Sequence, residues 1–280
     1  MRLPRNVKAT VFLEISKHLT GTAKGILKEA AETSGLVAGA FKWCESISWR
    51  RRLKGVRVLA QLEKADPLVR KLLHDRNAAV RAQAAEWAAA NPVPGVIDDL
   101  LALLTLPDAV SEFAVQDSLL RMGPIIVEPL AQYLETNDGR HAEIGLVLAE
   151  PLAEPRFFPA ARRAIEKGGR GERKAAARLL SAIGGAEAAA LLVTKLADPD
   201  DEVRAEAARG LGRMRHWPAA THLSGMLADD SWNVRQEAAF ALRTIGAPGI
   251  LLLRRAARAG NRGADIAQMV LDIPILRTVS

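Results

Sequence analysis

The chain repeats itself at a fixed period, and this constrains its fold more than any other feature. Three segments align without gaps: DRNAAVRAQAAEWAA from Asp75, DPDDEVRAEAARGLG from Asp198 and DDSWNVRQEAAFALR from Asp229. Each reads Asp, five residues, Arg (Arg81, Arg204, Arg235), two small residues three and four positions later, and an apolar residue at position seven. The template recurs at Arg52 (Gly55, Val56, Leu59) and Arg173 (Ala176, Ala177, Leu180). It recurs more weakly at Glu112 (Val115, Leu119), His141 (Ile144, Gly145, Leu148) and Ile266 (Met269, Val270, Ile273). Successive anchors lie 29 to 32 residues apart. A period of this size belongs to stacked supersecondary units, each burying its apolar face only against its neighbours.

Offsets 0, 3, 4 and 7 share one face of a 3.6-residue helix, so each unit contains an amphipathic helix with a small buried stripe. Between these helices lie second apolar-periodic segments: Leu68, Val69, Leu72 and Leu73; Val96, Ile97, Leu100, Leu101 and Leu104; Ile126, Val127, Leu130 and Leu134; Leu191, Leu192 and Leu196; Leu223, Met226 and Leu227; Ile250, Leu251 and Leu253. Pro67, Pro94, Pro124, Pro218 and Pro248 precede several of them, as suits a first helical turn. Each unit is therefore a helix pair. Asp75, Asp198 and Asp229 fall in the loops inside the pairs, where they can cap the next helix. Only 4% of residues are aromatic, so the core is built from alanine and leucine, which favour helix over strand.

These residues resemble the HEAT-repeat family, in particular its short, alanine-rich, phycobilisome-lyase-like bacterial kind, over roughly residues 46 to 275. The resemblance implies an all-α, right-handed α-solenoid of about seven to eight helix pairs. It also implies a structural ladder in which Asp75 with Arg81, Asp198 with Arg204 and Asp229 with Arg235 register neighbouring repeats. Lys167, where a loop Asp would precede Arg173, departs from the pattern. Bilin lyases share the repeat style, and that likeness is one of fold only.

Residues 1–45 stand outside the repeat and 46–280 form the solenoid. Val7, Val11, Phe12, Ile15 and Leu19 make one apolar stripe, and two further helices are predicted over Thr22 to Ala31 and Leu36 to Cys44. This segment reads as a helical cap over the first repeat. Its alternative is a helix that seeks a membrane surface or a partner groove.

No catalytic constellation, cofactor motif or metal-ligand spacing is present. The five histidines, His18, His74, His141, His216 and His222, are scattered, and none sits in HExxH or in the His-Glu pairs of iron-binding HEAT hydroxylases. There is no GxSxG, GxxxxGK[ST] or GxGxxG. Cys44 is the single cysteine, read as a free structural thiol, which makes a reducing, cytoplasmic location the expectation. The N-terminus lacks the h-region of a signal peptide, and no apolar stretch reaches membrane-spanning length.

The formal net charge of +7 is segregated: +10 over residues 1–81, −7 over 82–168 and +4 over 169–280. The densest basic run is Trp49 to Arg57, in which Arg50, Arg51, Lys54 and Arg57 form a tentative anion-seeking patch on an outward helix face. Trp49, Trp87 and Trp232 lie near the starts or middles of anchor helices and are assigned to core packing, each beside arginines that suit a binding hot spot. The expected function is a non-enzymatic scaffold or adaptor that binds a protein partner on the solenoid surface. The alternatives are a nucleic-acid module resembling HEAT-like DNA glycosylases, opposed by the acidic middle, and peripheral membrane attachment through residues 1–57.

Overall fold

The computed structural model describes residues 4–105, 109–260 and 262–273, and every regular element among them is helical. Residues 274–280 of the expected solenoid lie outside the described residues. The chain forms two compact units, Met1–Pro129 and Leu130–Ser280. The first holds α1 (Arg5–Ser16), α2 (Gly21–Thr33), α3 (Leu36–Cys44), α4 (Trp49–Gln61), α5 (Leu68–Leu73), α6 (Ala78–Ala90), α7 (Val96–Ala102) and α8 (Ala109–Met122). A 3₁₀ turn over Gly123–Ile126 leads into α9 (Val127–Thr136), most of which belongs to the second unit. That unit continues with α10 (Gly139–Ala149), α11 (Phe158–Lys167), α12 (Arg170–Ile183), α13 (Ala186–Lys195), α14 (Asp201–Arg213), α15 (Ala220–Met226), α16 (Trp232–Ile245), α17 (Ala247–Ala259) and α18 (Ala264–Asp272). Odd helices are the first members of pairs and even ones the second, beginning with α3 against α4.

The template positions form the core. At offsets 3, 4 and 7, Ala84, Ala85 and Ala88, Ala176, Ala177 and Leu180, Ala207, Ala208 and Leu211, and Ala238, Ala239 and Leu242 are all fully buried. Small side chains there let second helices approach each other. A Cβ on Gly212 of α14 would lie 2.7 Å from Ala241 Cα of α16, so only glycine permits this contact without displacement. The last unit keeps Ile266 and Val270 inside, where α18 packs on α16 and α17, but Met269 and Ile273 are exposed. Leu251, assigned to the core by its period, is also exposed.

The loop aspartates reach across units. The Asp75 carboxylate accepts from Arg52 Nε and Nη2 of the preceding unit at 2.6 and 2.8 Å. Asp198 pairs in the same way with Arg173 at 2.9 Å on both oxygens, and Asp229 with Arg204 at 2.9 Å on both. The arginine of the same unit instead holds the main chain. Arg81, Arg204 and Arg235 each donate Nη1 to the carbonyl of their own loop aspartate, at 2.7, 2.8 and 2.8 Å. Each Oδ1 also accepts a backbone N–H two residues on, from Asn77, Asp200 and Ser231. Those three residues are the helix N-caps, so the loop aspartates brace the turn before the cap. The bidentate fork suits arginine, and a lysine could not reproduce it. Burial alone would raise the three carboxyl pKa values, but the arginine hydrogen bonds, the backbone N–H and nearby positive charge outweigh it and hold them below the usual range.

At the His141 and Lys167 positions neither the arginine nor the aspartate of a link is present. Here Arg163 donates to the Leu134 carbonyl, the Gly139 amide donates to Glu172 Oε1 at 3.1 Å, and a cavity of about 330 Å³ opens among α9 to α12.

α1 packs on α2, α3 and α4 through Ala9, Phe12 and Ser16. Its expected apolar stripe is split: Phe12 turns inward, whereas Val7, Val11 and Ile15 stay exposed on the opposite face. The spacing of four that groups those three also turns them away from the polar-flanked seam α1 uses.

Candidate binding surface

The basic run lies on α4, at a groove of about 820 Å³ between α1, α4 and α6. Two local features build it. Arg52 donates to the Ser46 and Ile47 carbonyls at 2.9 and 2.8 Å, fixing the turn into α4. Gly55 lets α3 close on α4, since a Cβ there would lie 2.6 Å from the Ala40 carbonyl oxygen and 2.7 Å from Cys44 Sγ. The close approach brings the Trp43 ring of α3 within 5.8 Å of Lys54 Nζ.

Arg50, Arg51 and Arg57 are exposed, but Lys54 is half-buried and spans to α1. Its Nζ donates to the Asn6 carbonyl at 2.7 Å and to Thr10 Oγ1 at 3.0 Å, so Lys54 ties α1 down rather than standing free in the stripe. The Arg50 guanidinium stacks over Trp49 at 4.9 Å, a contact worth about 0.5–1 kcal/mol at an exposed site. Among the described residues neither Arg50 nor Arg51 has a carboxylate partner. Of the acids lining the groove, Glu14 is paired with Lys17 at 2.9 Å and Glu86 accepts from Gln83 at 2.5 Å.

Of the three tryptophans assigned to the core, only Trp87 belongs there, with Nε1 donating to the Lys64 carbonyl at 2.9 Å. Trp49 and Trp232 both stand three residues before their anchor arginine, at the first turn of α4 and α16, where the side chain overhangs the loop and stays exposed.

A second set of links, five residues after each anchor, is not among the contacts expected from the repeat template. Arg178 Nε of α12 meets Glu206 of α14 at 3.1 Å, and Arg209 of α14 meets Glu237 of α16 at 2.7 and 3.0 Å. Glu206 is buried and also accepts from Arg209 Nη1 at 2.8 Å. Lys174 and Arg170 reach Glu202 at 2.6 and 2.7 Å. The signal was legible as Arg at offset 5 answered by Glu at offset 2 of the next unit. Offset 5 of the first unit is Arg57, and it donates Nε to Gln83 Oε1 at 3.1 Å in the same register. Gln83 supplies the hydrogen bond but not the charge. The guanidinium therefore meets a carboxylate directly in the C-terminal repeats, and in the first repeat meets a neutral amide that itself donates to Glu86.

Among the described residues no three His, Cys, Asp or Glu side chains are grouped to hold a metal ion, and no helix is long and apolar enough to cross a membrane. Paired helices, small-residue stripes and aspartate–arginine links between consecutive units define an α-solenoid repeat protein. The family profile described as HEAT repeats matches residues 190–269 of the chain.

Among solved structures, Kap95p, which binds RanGDP, aligns with a TM-score of 0.60 at 14% identity over 87% of this chain and 41% of that one. YibA of Escherichia coli aligns at 0.49 and 18% identity, covering 84% and 90% of the two chains. Human deoxyhypusine hydroxylase aligns at 0.38 and 21% identity, covering 90% and 98%. The Kap95p likeness shows the solenoid fold, and this chain spans about two fifths of that protein's length. No curated protein sequence matches the chain.

Proposed function

We propose that the protein is a non-enzymatic scaffold that holds an acidic protein partner in the groove between α1, α4 and α6, with residues 1–45 capping the repeats and completing that groove. The observation that carries this reading is Gln83. It keeps the inter-unit hydrogen bond while leaving Arg57 without a directly paired carboxylate on the helix face that carries Arg50 and Trp49, an arrangement of aromatic and arginine that suits a hot spot. Kap95p, a solenoid of this fold, binds a protein, RanGDP, and that precedent supports the same use of surface here. The ladder residues Asp75, Arg81, Asp198, Arg204, Asp229 and Arg235 are assigned a structural role.

The test is affinity capture of partners from the protein's own cell lysate, with and without nuclease, using the wild type, Gln83→Glu and Arg50→Glu/Arg51→Glu/Arg57→Glu. Lys54 is left intact because it anchors α1. A protein retained after nuclease treatment should bind several-fold more weakly to Gln83→Glu and be lost from the triple variant, since opposed charges at an interface suppress association. Capture that disappears with nuclease, or that is indifferent to all three arginines, refutes the reading.

A further inference from the structure

We propose that the outer face of α17 is a docking surface for an anionic lipid membrane, separate from the groove at α4. Leu251, Arg254, Arg255 and Arg258 follow one another at i, i+3, i+4 and i+7, so they share one face of a thirteen-residue helix. All four are exposed, Leu251 to 69%. Residues 247–259 contain no aspartate or glutamate. Nor do residues 214–228, which include α15, the helix that packs beside α17. Among the described residues none of the three arginine side chains has a hydrogen-bond or ion-pair partner, whereas Arg170, Arg173, Arg178, Arg204 and Arg209 of α12 and α14 all meet carboxylates.

A solvated helix face with three cations would ordinarily carry acids at the neighbouring positions. This one carries none, and places an exposed leucine in their midst. Trp217, 67% exposed at the entry to α15, adds an amphipathic ring to the acid-free stretch 214–228. Guanidinium groups around an exposed leucine match the headgroup boundary of a bilayer, where phosphates meet the cations and the aliphatic side chain enters the acyl region. A nucleic-acid backbone would satisfy the cations but offer nothing to Leu251.

The experiment is co-sedimentation of the intact chain with phosphatidylcholine vesicles, with and without phosphatidylserine, at physiological salt. Circular dichroism establishes that each variant is folded. Wild type should bind only the anionic vesicles. Arg254→Gln/Arg255→Gln/Arg258→Gln should bind about 100-fold more weakly, each cation near the surface contributing about fivefold. Leu251→Ala should lose about tenfold on vesicles while its affinity for a DNA duplex is unchanged. The Arg50, Arg51 and Arg57 reversal should leave vesicle binding intact, which separates this surface from the groove. Absence of wild-type binding, a triple variant that binds normally, loss of binding in the α4 reversal, or vesicle binding indifferent to Leu251 each overturns the proposal.

Discussion

Replacing Arg204 with alanine tests the ladder where its geometry is most complete. The side chain makes four hydrogen bonds: Nε and Nη2 to Asp229 at 2.9 Å each, and Nη1 to the Asp198 and Pro199 carbonyls at 2.8 and 3.2 Å. Truncation leaves the Asp229 carboxylate with the Ser231 N–H at 2.8 Å and two carbonyls to rehydrate. Removing one member of a fully buried ion pair costs about 3–5 kcal/mol. Here the Arg204 and Asp229 side chains keep 16% and 10% of their surface in water, so part of the stranded charge is solvated. The expected loss is about 2–3 kcal/mol in urea unfolding, read at the transition reported by the C-terminal repeats, since each unit stabilises mainly its neighbours. Arg204→Ala/Asp229→Ala should cost less than the sum of the single changes by about 1–2 kcal/mol, because the double variant no longer buries an unpaired carboxylate. A single-variant loss below about 0.5 kcal/mol, or strict additivity in the cycle, would refute the assignment of stability to this link.

Acid should weaken the solenoid in a defined direction. Asp75, Asp198 and Asp229 have folded-state pKa values below their unfolded value of about 3.9, so their contribution is present above that pH and lost as pH falls through the folded values. The urea midpoint should be level from neutrality to about pH 5 and drop below about pH 4, and a midpoint unchanged across that range would contradict the linkage. The Cys44 thiol is buried, and burial pushes its pKa to about 12. Ellman's reagent should therefore react with it only on unfolding, and stoichiometric labelling of the native protein within seconds would show α3 open from α4.

Much of this architecture can be read directly from residue spacing. The helices expected over Thr22 to Ala31 and Leu36 to Cys44 are α2 and α3, extended by one or two residues in the first case and coincident in the second. The offset-3, offset-4 and offset-7 residues are buried because helical period alone decides which face meets the neighbouring unit. Period does not say how many neighbours a helix has. Val7, Val11 and Ile15 fit an apolar stripe, yet α1 is covered on one side only, through Ala9, Phe12 and Ser16. Leu251 likewise fits its segment's pattern and faces out. Partners across units are equally silent in a local reading. Asp75 sits six residues before Arg81 and is held by Arg52, twenty-three residues away, because the loop of one unit rests on the second helix of the unit before. The site was half legible: the cations were visible as a run, but Lys54 as a tether and Gln83 as the uncharged substitute emerge only once α4 lies between α1 and α6.

The two sets of links act as a grammar for lengthening the chain. Copying the 31 residues from Pro199 to Asp229 in tandem would give the new Arg204 its own Asp229. It would also give the first Arg209 a Glu206 to meet and the second Arg209 the existing Glu237, so both sets of arginine links would be completed. Where His141 and Lys167 replace the coded pair, the same operation would copy a junction that carries no such link. Growth by duplication is therefore favoured in the block after Arg173 and disfavoured at the junction of His141 with Lys167.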